Sequence, residues 1–517
     1  MVPQGLAPGN DPLPQSVAIH APHCRGVVAG PFANSLRPLF DALPATGSML
    51  EVKRSTVRTV LRGEIGGVDV HLKLYRSVTL SDRARDALRG DRGTHEAKNL
   101  IRAAHLDLPV AQPIACGSLV DAETGSRSFL VTRTIQGARP FAFDMSEETL
   151  VHTGRLLRRM HDRGFLPGDL HCGNVVADER GLPWLLDLNS VRQGGEPDLA
   201  RRAAALAYFC QPLDGGPLDP QAQPLLLAYL AAGRDLPREF AAECAKAARL
   251  VRHRALSSFH RRWSRDCRHT SMPKKRRGEF RWHLHLVEDA ADRAPLHDAC
   301  RAFAASPGAP DKTGRRGSVW LLPDIAAKQR GQGDARSIFQ AMYWLLFAGV
   351  GQPEPVALAT KHDLAYVFAR RVPSPSIADE LAAGSLRGTE LLAAARSFGR
   401  SVGRLHAHGL RNRDMKFENL LREPVTGAVL MADLDGVRRK DCDDTRGQGM
   451  DLGRVLAAFA AAGRPGGSAV VFAFVRSYLR ARQRLLQPAE TQKIWKTAEK
   501  RAREWASAHP DAGAAMR

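Results

Sequence analysis

The chain predicts an α+β protein built as two tandem copies of one bilobal domain, each a small β-rich lobe followed by a helical lobe. Three observations carry this. Its 517 residues exceed the roughly 250–300 at which a single core stops growing. The stretch "HDRGFLPGDLHCGNVVADERGLPWLLDLN", from His161, is matched by "HAHGLRNRDMKFENLLREPVTGAVLMADLD", from His406. Each has an Asp, an Asn five residues later and a second Asp closing a short apolar run. With Asp169 set against Asp414, an offset of 245, 7 of the 21 ungapped positions from 154 to 174 are identical: Gly154/Gly399, Arg155/Arg400, Arg159/Arg404, His161/His406, Gly164/Gly409, Asp169/Asp414 and Asn174/Asn419. That period is far longer than the ~20–50 residues of a solenoid repeat, so it marks a duplicated domain.

Taken in order, "MVPQGLAPGNDPLPQS" reads as a loose tail, and residues 1–34 are expected to be flexible. The first domain is expected over 35–245. "STVRTVLRGEIGGVDVHLKLY" alternates as two strands around a turn at Gly63, Gly66 and Gly67. "GRRGSVWLLPDIAAKQ" is its shorter partner in the second domain, expected over 283–517. These strand pairs end near Lys73 and Lys328. A helix follows each, "GTHEAKNLIRAAHL" and "DARSIFQAMYWLLFAG", and then the apolar runs "SFLVTRTI" and "LAYVFARRV". "LVHTGRLLRRMHDRG" and "LAAARSFGRSVGRLHAHG" space apolar residues as helices do and end in a glycine. Short strands close each motif.

Composition excludes several classes. The apolar fraction of 44% is that of a globular protein. No run of ~18 apolar residues predicts a membrane-spanning helix, and no basic start followed by an apolar core predicts a secretory signal. Eight scattered cysteines without a C-x-x-C pair suggest neither zinc nor a disulfide framework, so a cytoplasmic location is expected. Cys172, inside the first motif, reads as a small half-buried side chain. The net charge of +21 attracts anionic partners without choosing among them. Residues 246–282 form a basic connector, with Phe259, Trp263, Phe280 and Trp282 among its arginines and lysines. It is either a solvated link or, through 252–282, a peripheral contact with anionic membrane. No zinc finger, RNP-like motif or basic heptad region is present, so nucleic acid is not the expected partner.

An Asp in a loop, an Asn five residues on and an Asp after a following strand are the parts of a phosphoryl-transfer site. The first Asp orients the acceptor hydroxyl and takes its proton. The Asn and second Asp offer hard oxygen ligands to Mg²⁺. A lysine from the β lobe, fixed by a helix glutamate, holds the phosphates of ATP. The arrangement resembles the protein-kinase-like fold. That resemblance assigns Asp169 as base, Asn174 and Asp187 as metal ligands, and Lys73 with Glu96 as the lysine–glutamate pair. In the second copy it assigns Asp414, Asn419, Asp433 and Lys328 to the same places. His171 and Lys416 stand two residues after the base, where a side chain reaches the transferred phosphate. Asp198 and Asp451 stand near the position of a helix Asp that supports the loop.

Departures from the pattern are specific. His-Arg-Asp is replaced by Pro167-Gly168-Asp169 and Asn412-Arg413-Asp414. Asp-Phe-Gly is replaced by Asp187-Leu188-Asn189 and Asp433-Leu434-Asp435. No G-x-G-x-x-G precedes Lys73, and "VKRST" at 52–56 is expected to serve instead, through its backbone and Lys53 or Arg54. The second copy carries Gln340 where the glutamate is expected. Within the superfamily, "RSTVRTVLRG", "VHLKLYR", the helix with Glu96 and the Pro109–Pro113 turn make residues 50–200 similar to the lipopolysaccharide-core kinases of the Kdo/WaaP group, with a weaker likeness over 310–455. The resemblance implies phosphoryl transfer from ATP to an inner-core sugar of a glycolipid, heptose or Kdo, at the cytoplasmic side of the inner membrane. The alternatives are a protein Ser/Thr kinase and a pseudo-kinase scaffold that binds membrane or nucleic acid.

Overall fold

The computed structural model describes residues 13, 15–43, 49–55, 57–76, 91–119, 126–213, 215–233, 235–267, 270–273, 279–286, 294–440, 444–461, 467–482 and 488–508. The chain divides into two compact units, Met1–Cys244 and Ala245–Arg517.

In the first unit, β1 (Ser16–Ala21) and β2 (Cys24–Ala29) form a hairpin. Helix α1 (Arg37–Ala42) follows, then β3 (Leu50–Arg54), β4 (Arg58–Ile65) and β5 (Val68–Arg76). Helix α2 (Arg92–His105), β6 (Pro113–Leu119) and β7 (Ser126–Arg133) complete this part. All seven strands make one antiparallel sheet, ordered β1-β2-β6-β7-β5-β4-β3. Gly66 and Gly67, both at positive φ, make the two-residue turn between β4 and β5, the geometry that suits the right-handed twist of paired strands. The period-two pattern of β5 sends Val70, Leu72 and Leu74 to one face, where they pack with Leu39, Phe40, Phe129 and Val131. Lys73 and Tyr75 point to the opposite face.

The rest of the unit is mainly helical. It contains β8 (Arg139–Pro140), α3 (Glu147–Asp162), β9 (Phe165–Pro167), β10 (Val175–Ala177), β11 (Pro183–Leu185), β12 (Val191–Gln193), α4 (Leu199–Phe209) and α5 (Gln223–Ala231). Ser146 caps α3 by accepting from the Thr149 amide, and Glu147 and Glu148 occupy its first turn, which suits the positive end of the helix dipole. Gly164, at φ +63°, ends it.

Helix α6 (Phe240–Trp263) spans the boundary residue. The second unit continues with β13 (Thr270–Ser271), β14 (Arg281–His285), α7 (Ala294–Ala305), β15 (Lys312–Gly314), β16 (Gly317–Leu321), β17 (Ile325–Arg330), α8 (Gln332–Phe347), β18 (Pro355–Lys361) and β19 (Leu364–Arg370). Its sheet is ordered β13-β14-β18-β19-β17-β16-β15. Subtracting twelve from each strand number reproduces the order of the first sheet. Helix α7 supplies Leu296, Phe303 and Ala304 to the sheet face that also buries Ile325, Ala327 and Phe368, the place α1 takes in the first unit. A mainly helical part follows here too: α9 (Ile377–Ala382), α10 (Gly388–Ala407), β20 (Leu410–Asn412), β21 (Leu420–Arg422), β22 (Val429–Met431), β23 (Val437–Arg439), α11 (Thr445–Ala461), α12 (Gly467–Arg482) and α13 (Pro488–Ala508).

Two expectations change. Within the 1–34 tail, residues 16–29 are the outer hairpin of the first sheet, while 1–12 and 14 lie outside the described residues. The 246–282 connector is not a separate link. It holds most of α6 and the equivalent first strands of the second sheet. Its aromatic residues are turned into that unit: Trp263 is buried against Phe259 and Tyr343, Phe280 lies beside Tyr366, and Trp282 stacks on Phe368. Arg254, Arg261, Arg262, Arg265 and Arg281 stay exposed. Lys274, Lys275, Arg276 and Arg277 lie outside the described residues.

Candidate active site

Lys73 sits in the middle of β5, opposite Val60 on β4 and Leu130 on β7. Its ammonium donates to Glu96 Oε1 at 2.6 Å and to Asp187 Oδ1 at 2.6 Å. Glu96 arrives from α2 and is fully buried, with Tyr75 Oη donating to its other oxygen. Asp187 follows β11 with φ +58°, a left-handed conformation that short polar side chains tolerate. Asn99 of α2 donates to the carbonyl of Leu188 at 2.7 Å, tying the helix to that turn. Burial works against the charge of Lys73, but Glu96 and Asp187 outweigh it and hold its pKa above the ordinary lysine value. Burial likewise opposes ionisation of Asp187. Lys73 and Arg58 overcome it and hold the carboxyl well below the usual range.

Asn174 joins this cluster to the loop. Its backbone carbonyl accepts from Leu186 N at 2.8 Å, which places it beside Asp187. Its amide Nδ2 donates to the carbonyl of Asp169 at 2.8 Å, and Oδ1 has no partner among the described residues. Asp169 is exposed, and Tyr208 Oη of α4 donates to its Oδ1 at 2.6 Å. Burial first, and then this carboxylate, push the Tyr208 phenol up to about 12. The His171 ring meets the Tyr208 ring edge-on at 6.3 Å. Cys172 is half-buried and its thiol is raised by burial, as inert packing requires.

The second unit repeats much of this. Lys328 is opposite Val319 and Val367 in its sheet and donates to Asp433 Oδ1 at 2.8 Å. Burial opposes ionisation of Asp433 too, and Lys328 overcomes it. Asn419 accepts from Ala432 N at 2.9 Å and donates through Nδ2 to the Asp414 carbonyl at 3.2 Å. Lys416 Nζ lies 3.3 Å from Asp414 Oδ1. Both line a cavity of about 760 Å³ together with Arg413, Arg454 and Trp505. Gln340 does not reach Lys328. Its amide lies 2.8 Å from His260 Nε2. Among the described residues no helix carboxylate meets Lys328.

Several placements depart from the sequence reading. Lys53 and Arg54 are exposed on β3, and Arg54 is ion-paired with Glu51, so neither side chain joins the cluster. Arg58 does, through Nη2 to Asp187 Oδ2 at 2.6 Å. The signal for it was present: a two-residue turn at Gly66-Gly67 fixes Val60 opposite Lys73 and Arg58 opposite Tyr75. Asp451 is fully buried between Arg411, at 2.9 and 3.0 Å, and His406 Nε2, at 3.6 Å. Asp198 instead caps α4 at the surface, accepting from Arg201 N. Buried Arg202 donates to Asp162 Oδ1 at 2.8 Å and to Tyr229 Oη at 3.4 Å.

Residues 50–203 match the model of the lipopolysaccharide kinase (Kdo/WaaP) family. No curated protein matches the chain. Among solved structures, WbdD is 16% identical with a TM-score of 0.26, covering 38% of this chain and 49% of that one. A second structure of WbdD, titled a bifunctional kinase-methyltransferase, is 18% identical with a TM-score of 0.25, covering 38% and 47%. A choline/ethanolamine kinase family protein from Mesorhizobium loti is 15% identical with a TM-score of 0.30, covering 44% and 82%. The chain thus spans about half the length of each WbdD chain.

Proposed function

With residues 50–203 matching a family of lipopolysaccharide kinases, we propose that the chain transfers the γ-phosphoryl group of ATP to a sugar hydroxyl of the lipopolysaccharide inner core, heptose or Kdo. Two tandem protein-kinase-like bilobal domains would do this at the cytoplasmic side of the inner membrane. The observation that carries the reading is that the Lys73 ammonium holds Glu96 and Asp187, each at 2.6 Å, while the backbone carbonyl of Asn174 accepts from Leu186, next to Asp187.

The chemistry follows from the side chains. Glu96 holds the Lys73 ammonium toward Asp187, so it is positioned for phosphate oxygens. Asp169, with one oxygen engaged by Tyr208, keeps the other for the acceptor hydroxyl. It orients that hydroxyl and accepts its proton as the oxygen attacks phosphorus. His171 in the first unit and Lys416 in the second stand near the path of the transferred group. The available donors fit Mg²⁺: one amide oxygen and one carboxylate per unit, Asn174 with Asp187 and Asn419 with Asp433, leaving room for the waters this ion retains. Among the described residues no group of three or more His, Cys, Asp or Glu side chains could hold a metal alone. Bound Mg²⁺ would supply neutralisation of phosphate charge. Exposed arginines of α6 and β14 are available to an anionic membrane surface, and among the described residues no helix is long and apolar enough to cross one.

Turnover of ATP with purified core glycolipid tests this. Asp169→Asn combined with Asp414→Asn should lower the rate at least ~100-fold, the smaller end of general-base effects. A double variant as fast as wild type would overturn the assignment. A second reading concerns the second unit alone. Because no helix carboxylate meets Lys328 among the described residues, that unit would bind nucleotide without turnover of its own. Asp414→Asn by itself would then leave the rate unchanged.

A further inference from the structure

We propose that Arg58 is a phosphate-binding cation of the first unit's nucleotide site, filling the place of a glycine-rich loop. This rests on the kinase reading above. The need is visible in the sequence: nothing like G-x-G-x-x-G precedes Lys73, and the two cations offered instead, Lys53 and Arg54, stay at the exposed strand β3.

Arg58 has the right place. Directly opposed residues of paired strands share a sheet face. The register Arg58↔Tyr75 and Val60↔Lys73 therefore puts Arg58 on the face of Lys73, one pair of residues further along. Its side chain is 16% exposed, so it is held in the site rather than at the surface. Its guanidinium has one side-chain partner among the described residues, Asp187 Oδ2 at 2.6 Å, while Lys73 takes Oδ1.

The charges show which cation is available. Lys73 and Arg58 balance Glu96 and Asp187. Lys73 is shared between both carboxylates, whereas among the described residues Arg58 is paired only with Asp187. Were Asp187 to hold Mg²⁺, Lys73 would still have Glu96, and Arg58 would be left to meet phosphate oxygens. Its planar fork matches two of them at once.

The second unit keeps the same device with the strands exchanged. At the register of Tyr75, two residues after the sheet lysine, β17 carries Arg330. It donates to Asp435 Oδ2 at 3.1 Å, two residues after Asp433. The neighbouring strand offers Gly317 there, where a Cβ would lie 3.1 Å from Arg330 Nη1. Each sheet thus sets one arginine against an aspartate of its second motif: Arg58 on Asp187 in one, Arg330 on Asp435 in the other.

The test is calorimetric titration of the full chain carrying Lys328→Met, which silences the second site, with AMP, ADP and β,γ-methylene ATP. Adding Arg58→Gln should weaken ADP and the triphosphate analogue roughly 10- to 100-fold and change AMP less than about twofold, with Arg58→Lys recovering part of the loss. Unchanged affinity for the analogue would overturn the proposal. So would an equal loss for all three nucleotides, which would make Arg58 a support of the pocket rather than a phosphate ligand. Failure of the Lys328→Met chain itself to bind any nucleotide would sink the kinase reading and this inference with it.

Discussion

His161 and His406, the buried histidines of the repeat, have the same kind of partner and differently placed charges beside them. Each ring meets a tyrosine hydroxyl, Tyr229 at 2.8 Å and Tyr478 at 3.1 Å. Beside His406 lies the Asp451 carboxylate. Near His161 the buried Arg202 guanidinium shares the hydroxyl of Tyr229. Burial, and then Arg202, push His161 down to about 3. Its folded pKa is thus below the unfolded ~6.5. The stability it contributes is complete above that unfolded value and is lost as pH falls toward 3, because only the unfolded chain takes up the proton. Denaturant titrations at pH 6.5 and pH 5 should show wild type losing roughly 1.5 kcal/mol more than His161→Gln over that interval. Equal losses would mean that the imidazole is protonated in the folded state.

At the level of elements, the repeated identities mark places where two pieces of backbone meet. A Cβ on Gly154 would lie 2.1 Å from Leu225 O, and one on Gly399 would lie 2.3 Å from Phe474 O. Helices α3 and α5, and likewise α10 and α12, touch at these glycines. Gly154→Ala or Gly399→Ala must push a helix pair apart, and a thermal melt should show about 1–3 kcal/mol lost from the unit that carries it. An unchanged melt would remove close approach as the reason for the glycine. Other identities have equally local causes. Gly164 and Gly409 end their helices at positive φ. Arg159 and Arg404 donate to the carbonyls of Asp107 and Gly349, in the turns after α2 and α8. For Arg155 and Arg400, both exposed, the structure gives no reason. These features were legible because they fall in one ungapped stretch. The tyrosines were not, since Tyr229 and Tyr478 are 249 apart and an insertion has shifted the offset. The outer hairpins were missed for another reason: β1 buries only Ile19 of its six residues. A strand so exposed has almost no apolar alternation, and the prolines and glycines of the sequence before it pointed to a tail. Arg58 was hidden among arginines and emerges only when the β4–β5 register is counted out from the turn.

Across the whole molecule, the two sheets share their strand order and the position of their lysine, yet differ in what holds that lysine. The first has Glu96 from a helix. Among the described residues the second has only Asp433, with Gln340 turned to His260. Without a helix carboxylate among the described residues Lys328 lacks the second anchor that Glu96 gives Lys73, so under the proposed function the second site should bind nucleotide more weakly than the first. Titration of the wild-type chain with β,γ-methylene ATP and Mg²⁺ should therefore resolve a tight and a weak event. Lys73→Met should remove the tight one, Lys328→Met the weak one, and the two together both. The affinity gap should be roughly 10-fold or more, the size of one charge-assisted contact. A single event abolished by Lys73→Met alone would mean that the second sheet carries the lysine without the site. Two equal events would mean that something other than a helix glutamate steadies Lys328. The nearest candidate is the Arg330–Asp435 pair, and Asp435→Asn in the Lys73→Met background would then lower the remaining affinity.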